Sequence, residues 1–221
     1  MKKYVITLIL CVMSVPLLLL TSCEDRGPEY ISDYDVVYTN HQSSMDFSTV
    51  KTYQLIDTLM FLAPNGQSMG SLTHNFDEVV LDRVKSNLDD LGWTMITPAE
   101  EGVVEADIVV TVSSITTTYI NQYWYDDWWY YWDWYGGFYP GWGWGPGYYP
   151  WYGYPMYYTT YDTGTVFIEM INPKQQMSAD KKIPIVWVGL VNGLLEGSNI
   201  NARINKNIDQ AFMQSPYLMD K

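Results

Sequence analysis

Asp126, Asp127 and Asp133 stand among tryptophans and tyrosines in a chain otherwise poor in reactive groupings. Two carboxylates flanking a sugar held on aromatic faces are what a glycoside hydrolase requires, one as general acid and the other as base or nucleophile. The spacing between Asp126 or Asp127 and Asp133 in a Gly-rich setting fixes no distance between carboxyls. Aspartates so placed also serve to keep a sticky segment soluble. The same residues lack the glycine and ligand spacing of a calcium loop. The only histidines are His41, in a turn between strands, and His74, at the start of a helix. Both positions suit loop or cap hydrogen bonds rather than an activated catalytic pair. No Cys or His cluster offers a zinc site. The run Gly141-Trp142-Gly143-Trp144-Gly145 is flanked by aromatics and lies outside any strand-to-helix turn, so it cradles no phosphate. These residues indicate a non-catalytic protein, with no metal ligand set and no cofactor.

What remains is the aromatic stretch itself. From Tyr123 to Tyr158, twenty-one of thirty-six residues are aromatic, seven are Gly and four are Pro, and eight of the ten tryptophans fall here. A buried aromatic ring removes roughly 150–250 Å² from water, whereas the largest apolar patch on an ordinary monomer is about 300–600 Å². The rings must therefore pack on each other, on the domain or on a partner. Their hydrophobicity follows neither a two-residue nor a 3.6-residue period, and Gly and Pro from Gly136 onward suit irregular or polyproline-like backbone. Three readings follow. In the first, Trp124, Trp128, Trp129, Trp132, Asp133, Trp134, Trp142, Trp144 and Trp151 dock an envelope protein, since Trp and Tyr dominate binding hot spots. In the second they bind polysaccharide, with sugar rings stacked on Trp128, Trp132 and Trp134 and hydroxyls bonded to Asp133. In the third the stretch is a cap folded over an open sheet face or edge.

The N-terminus says where this happens. Met1-Lys2-Lys3 is a short positive region, Tyr4 to Leu20 is apolar but for Thr7, Ser14 and Pro16, and Thr21-Ser22 follows. This is the pattern of a secretory signal peptide over residues 1–22, shorter than the roughly 20 apolar residues of a membrane span. Leu20-Thr21-Ser22-Cys23 resembles the lipobox of bacterial lipoproteins, which implies cleavage before Cys23 and lipid attachment to its sulfur. Cys11 would leave with the leader, so the mature chain would hold no disulfide. Removal of Lys2 and Lys3 leaves ten basic against twenty-five acidic residues, a formal charge of −15. Such a balance excludes nucleic acid as a partner. No Lys or Arg occurs between Lys85 and Lys174, which also argues against electrostatic adhesion to anionic lipid. Membrane attachment then falls to the acyl chains, at roughly 0.8 kcal/mol per buried CH₂. The expected location is the cell envelope, at the outer membrane. Residues 23–33, with Glu24-Asp25 and Gly27-Pro28, read as a tether. The acidic pair resembles the surface-export signal of some Gram-negative lipoproteins and equally suits a solvated linker.

The elements that would position the stretch are legible in outline. Tyr34–Thr39 and Lys51–Ile56 read as strands that pair as a first hairpin, and Leu59–Gly70, with Pro64-Asn65-Gly66, as a loop. Phe76, Val80, Val84, Leu88 and Leu91 recur at helical spacing, with Asp77 and Glu78 in the first turn and Gly92 past the end. Trp93–Thr97, Ile108–Ile115, Gly164–Ile171 and Ile183–Val191 read as further strands. Ile200, Ile204, Ile208 and Phe212 form one stripe of a closing helix capped by Ser198 or Asn199. Because strands and helices do not alternate strictly, the expected class is α+β. The expected architecture is a mostly antiparallel sheet with two helices packed on one face, in a single domain over residues 34–217. The strands on either side of the long insert at 121–161 would be neighbours that pair without it.

Several pieces resemble a family of bacterial lipoproteins defined by the domain of unknown function 4136. They are Asp46-Phe47-Ser48 with Lys51-Thr52-Tyr53, Leu91-Gly92-Trp93, Ala106-Asp107-Ile108-Val109-Val110, Gly164-Thr165-Val166, Val186-Trp187-Val188-Gly189 and a closing helix ending near Pro216. The resemblance implies lipid anchoring and an α+β fold, and it implies no activity. Family members commonly carry a modest aromatic and glycine-containing segment, and this chain carries an unusually long one. If Cys23 is the lipidation site, Cys23→Ser should yield an unprocessed or soluble species that no longer partitions into detergent with the membrane fraction. Unchanged partitioning would refute the anchor.

Overall fold

The computed structural model describes residues 36–62, 73–97, 105–115, 119–120, 149–152, 160–161, 164–175, 182–195 and 197–219. In chain order the elements are β1 (Val37–His41), a 3-10 turn Phe47–Thr49, β2 (Thr52–Leu55), β3 (Met60–Leu62) and a 3-10 turn His74–Phe76. These are followed by α1 (Asp77–Asp90), β4 (Thr94–Met95), β5 (Ile108–Ile115), β6 (Tyr119–Ile120), β7 (Tyr149–Tyr152) and β8 (Thr160–Tyr161). The chain closes with β9 (Val166–Ile171), β10 (Lys182–Val191), α2 (Ile200–Met213) and a 3-10 turn Pro216–Leu218. Among the described residues no helix is long and apolar enough to cross a membrane.

The domain is α+β, with two α-helices among the described residues. Its sheet runs β1-β10-β9-β5-β2-β4, with β3 also paired to β5 and β7 to β10. The expectation of a mostly antiparallel sheet needs correction, because the sheet is mixed. β1–β10, β10–β9 and β9–β5 are antiparallel, whereas β2–β4, β2–β5, β3–β5 and β7–β10 are parallel. Parallel neighbours need a crossover connection, and α1 supplies it between β2 and β4. The expected first hairpin does not form either. β1 pairs with the last strand, β10, while β2 lies on the far side of β5. The link between them carries Phe47 and Val50 into the core, and Phe47 and His41 meet the ring of Tyr217 there. A segment that buries its own side chains is a core connection rather than a hairpin turn. Part of the expected loop, Met60–Leu62, is also strand.

The helices form as their periodicity dictates. α1 buries Val80, Val84 and Leu88, each fully buried aliphatic side chain being worth roughly 1.5–3 kcal/mol. The helix ends at Gly92, whose φ of 81° is cheap only for glycine and whose N–H bonds Asp89 O at 2.8 Å. α2 buries Ile204, Ile208, Ala211 and Phe212. Asn199 precedes it in a left-handed conformation and its side chain makes no cap bond, so the expected polar cap is not used. The helices are joined by Arg83, which grips the Asp209 carboxylate with Nε and a terminal nitrogen, and Asn87 Nδ2 adds a bond to the same carboxylate at 2.9 Å.

Alternation along the strands assigns two faces. Ile108, Val110 and Val112 of β5 and Val166, Ile168 and Met170 of β9 share one cluster with both helices; this is the first face. A bulge in β10 between Ile185 and Trp187 turns both Val186 and Trp187 toward that cluster. Trp187 is fully buried: Nε1 donates to Ser215 Oγ at 2.9 Å, and its ring lies 5.3 Å from that of Phe212. The far edge of its indole covers Gly189, where an added Cβ would lie 2.6 Å from Trp187 Cη2. Because the indole is held at both ends, it cannot swing away. Gly189→Ala should therefore destabilise the domain by about 1–3 kcal/mol, read as a lower denaturant midpoint with unchanged slope. A midpoint equal to the parent's would show that Trp187 is free to move.

Candidate functional site

Most sequence-selected binding residues lie outside the described residues: Trp124, Trp128, Trp129, Trp132, Asp133, Trp134, Trp142 and Trp144, together with Asp126 and Asp127, the leader 1–22, Cys23 and the tether 23–33. Trp151 belongs to β7, where its backbone stands in register with Pro184. The roots of the insert are described. β6 and β8 pair antiparallel, Tyr119 with Tyr161 and Ile120 with Thr160, in the same register that pairs Ser114 with Val166 in β5–β9. As expected, the strands flanking the insert are neighbours, and the insert leaves the end of that hairpin. It does not remain an appendage, because Tyr149–Tyr152 joins the sheet beside Lys182–Ile185. β9 occupies one side of β10 from Ile185 onward and β1 the other from Trp187 onward. β7 and β1 thus lie end to end along the same edge. Pro150 and Pro184 both fall in the β7–β10 ladder, at alternate positions whose nitrogens face away from the partner strand, where proline is tolerated.

The second face of the sheet carries what sequence reasoning missed. Glu169 of β9 is fully buried there, directly opposite Thr111 of β5, whose Oγ1 donates to Glu169 Oε2 at 3.2 Å. Burial pushes the Glu169 carboxyl up to about 7, against the opposing effect of the Thr111 hydrogen bond. Ser113 lies on the same face, and its Oγ, like Oε1 of Gln54, has no hydrogen-bond partner among the described residues. The signal available in the sequence was one glutamate inside the apolar run Val166–Ile171.

Both histidines make contacts within the fold. His41 closes β1 and stacks on Tyr217 with ring centroids 3.7 Å apart, and burial lowers its pKa. His74 Nδ1 lies 2.6 Å from Asp77 Oδ2 at the entry to α1. Among the described residues no group of three His, Cys, Asp or Glu side chains could hold a metal ion. Asp107 gathers the polar joints around β2: Oδ2 accepts from the N–H groups of Lys51 and Thr52, each at 3.0 Å, and Oδ1 lies 2.5 Å from Lys174 Nζ. Burial alone would raise its pKa, but the Lys174 ammonium and the two amides outweigh it and hold the carboxyl at about 2.

Residues 37–217 match the family described as Domain of unknown function (DUF4136). The chain belongs to the DUF4136 family. A crystal structure of a DUF4136 family protein from Bacteroides thetaiotaomicron is 26% identical, with a TM-score of 0.59 over 85% of this chain and 98% of that one. A PelC dodecamer from Paraburkholderia phytofirmans (10% identity, TM-score 0.39, 84% of this chain and 99% of that one) and a PDZ domain protein from Parabacteroides distasonis (14%, 0.40, 83% and 36%) are more distant. No curated protein matches the chain.

The pieces that carry the DUF4136 resemblance are joints of the fold. Asp46 Oδ1 accepts from Ser48 N at 3.1 Å and caps the first 3-10 turn. Tyr53 OH donates to Asp89 at 2.7 Å, tying β2 to the end of α1; burial and that carboxylate push the phenol's pKa upward. Gly164, at φ 78°, donates to Ile115 O at 2.8 Å where the β5–β9 ladder begins. Trp187 and Gly189 form the interlock already described.

Glu169 gives the site its pH signature. Its folded pKa lies above the ordinary glutamate value of 4.5, so the native state binds more protons than the unfolded chain between about pH 4.5 and 7. Its contribution is complete below that window and lost as pH rises through about 7, by roughly 3 kcal/mol in all. Glu169→Gln should flatten this segment of the stability profile and leave the Asp107-dependent fall near pH 2–4 in place. A Glu169→Gln profile parallel to the parent's between pH 4.5 and 8 would show that Glu169 is charged in the native state.

Proposed function

We propose that this protein is a non-catalytic, lipid-anchored protein of the cell envelope that docks a protein partner through its Trp- and Tyr-rich insert. The observation that carries this reading is where the insert is rooted. Residues 121–159 spring from the Ile120–Thr160 end of a β-hairpin whose strands, β5 and β9, are buried along their whole length. A loop of this length in a small domain is ordinarily functional. Rooting it on the best-packed strands of the sheet gives it a firm base.

Area supports a partner as well. Twenty-one rings amount to roughly 3,000–5,000 Å² of aromatic surface, several times the largest apolar patch of a typical monomer. Self-packing and the domain's own sheet would absorb part of it, and the surplus is of the size that a standard interface buries, about 800 Å² per partner. The leader, Cys23 and the tether supply the membrane attachment, and the net negative charge removes nucleic acid from the partners.

The test compares the full mature protein with one in which 121–159 is replaced by Asn-Gly, each incubated with envelope extract. Retention of a defined membrane protein by the full protein only, weakened at least tenfold by Trp132→Ala, is the expected result. Insert-dependent retention of polysaccharide would instead make the protein a glycan-binding module. Retention of neither would overturn the binding role.

A further inference from the structure

We infer that Asn192-Gly193 is a latent self-modification site, able to close on itself as a succinimide, and that the Thr165 hydroxyl holds it shut. Gly164-Thr165-Val166 is one of the pieces that carry the DUF4136 resemblance. Gly164 makes the turn before β9 and Val166 enters the core, while Thr165 between them bonds the turn that follows β10.

The chemistry is set by the residue pair. In Asn-Gly the glycine nitrogen attacks the asparagine Cγ, the new N–Cγ bond closes a five-membered ring, and the side-chain nitrogen leaves as ammonia, taking up the proton that the backbone N–H gives up. Water then opens the ring at either carbonyl, which yields aspartate or, with one more backbone carbon, isoaspartate. Water is the only co-reactant. Glycine in second place offers no Cβ to obstruct the approach, and this turn requires it: Gly193 sits at φ 63°, in the left-handed region that glycine enters cheaply. A reactive pair is thus built into the end of β10.

Geometry decides whether it reacts. Gly193 N–H donates to Thr165 Oγ1 at 3.1 Å, and Thr165 Oγ1 donates to Asn192 Oδ1 at 2.8 Å. One hydroxyl of a fully buried residue therefore holds the nucleophile by its hydrogen and the electrophile by its oxygen. The peptide units around the pair are fixed as well. Asn192 N–H donates to Val36 O and Leu195 N–H to Gly164 O, each at 3.0 Å, and Arg203 Nη2 donates to Gly193 O at 2.9 Å. Attack needs the glycine nitrogen to shed its proton and to face Cγ at roughly 3–3.5 Å. An N–H engaged with Thr165 Oγ1 does neither until that bond opens, so reaction waits on a local opening of the turn. The stakes reach beyond residue 192. The extra backbone carbon of an isoaspartate would fall where the end of β10 meets the start of β1, so Thr165 also guards the outer pairing of the sheet.

The test incubates the full-length protein and its Thr165→Val variant in mildly alkaline buffer and reads position 192 by peptide mass spectrometry for the mass gain of deamidation and for isoaspartate. Valine keeps the branched shape and loses the hydroxyl. The expected result is deamidation of Asn192 about tenfold faster in the variant, the size of effect that two lost hydrogen bonds allow, with Thr165→Ser, which keeps the hydroxyl, as slow as the parent. Amides of β5 and β9 that stay protected from exchange in Thr165→Val show that the effect is local. An equal rate in that variant overturns the inference, and so does a slower one, which would make the hydroxyl a proton relay rather than a guard. Should the variant not fold, the parent decides: its Gly193 amide is expected to exchange slowly, and Asn192 to deamidate at least about tenfold more slowly folded than in urea. Exchange of Gly193 at the free-peptide limit, or equal deamidation in the two states, overturns it.

Discussion

Burial of β5 and β9 on both faces is the constraint on which the rest of the domain depends. A strand in an ordinary α+β sheet alternates between a helix-covered side and a wet side. All eight residues of β5 and all six of β9 are buried instead, so the sheet needs two covers. α1 and α2 provide the first, fixed by the Arg83–Asp209 pair and the Trp187–Ser215 bond. The second cover has to accommodate a buried carboxyl at Glu169, whose pKa is raised by that burial.

The joints that tie the chain to its family and the features that would give it a role sit in different places. Asp107, Tyr53, Gly164, Trp187 and Gly189 each satisfy a backbone turn, a strand-to-helix contact or a close approach in the core. The aromatic insert hangs from the β5–β9 hairpin and returns through β7 to the edge of β10. One framework can therefore hold inserts of different lengths with its core packing intact, provided the second face is served. Here one piece of the insert, β7, adds a strand to the edge of β10.

The helices and the pairing of β5 with β9 were legible in the sequence, because the 3.6-residue recurrence of Val80, Val84 and Leu88 and the apolar runs flanking the insert are local signals. Phe76, Val80, Leu88, Ile108, Val110, Val166, Ile168, Trp187, Ile204 and Phe212 read as core from periodicity, and they lie in the first-face cluster with Phe76 at its margin. Strand partners were not legible. β1 pairs with β10 and β2 with β5 across more than fifty residues, and period-two alternation says nothing about which edge a strand joins. Thr111 and Ser113 are polar positions of β5, yet both are buried; the nearly unbroken apolar run in β9 is the better guide to two-sided burial. Of the binding candidates only Trp151 is described, and its backbone serves the sheet.

The central claim is that part of the aromatic insert is a structural member of the domain. Native-state hydrogen exchange on the full mature protein tests it most directly. The account predicts that amides in Tyr149–Tyr152 are protected and open together with Lys182–Ile185 of β10, well above the free-peptide limit. Free-peptide exchange across Tyr149–Tyr152, with β1, β5 and β9 still protected, would contradict it.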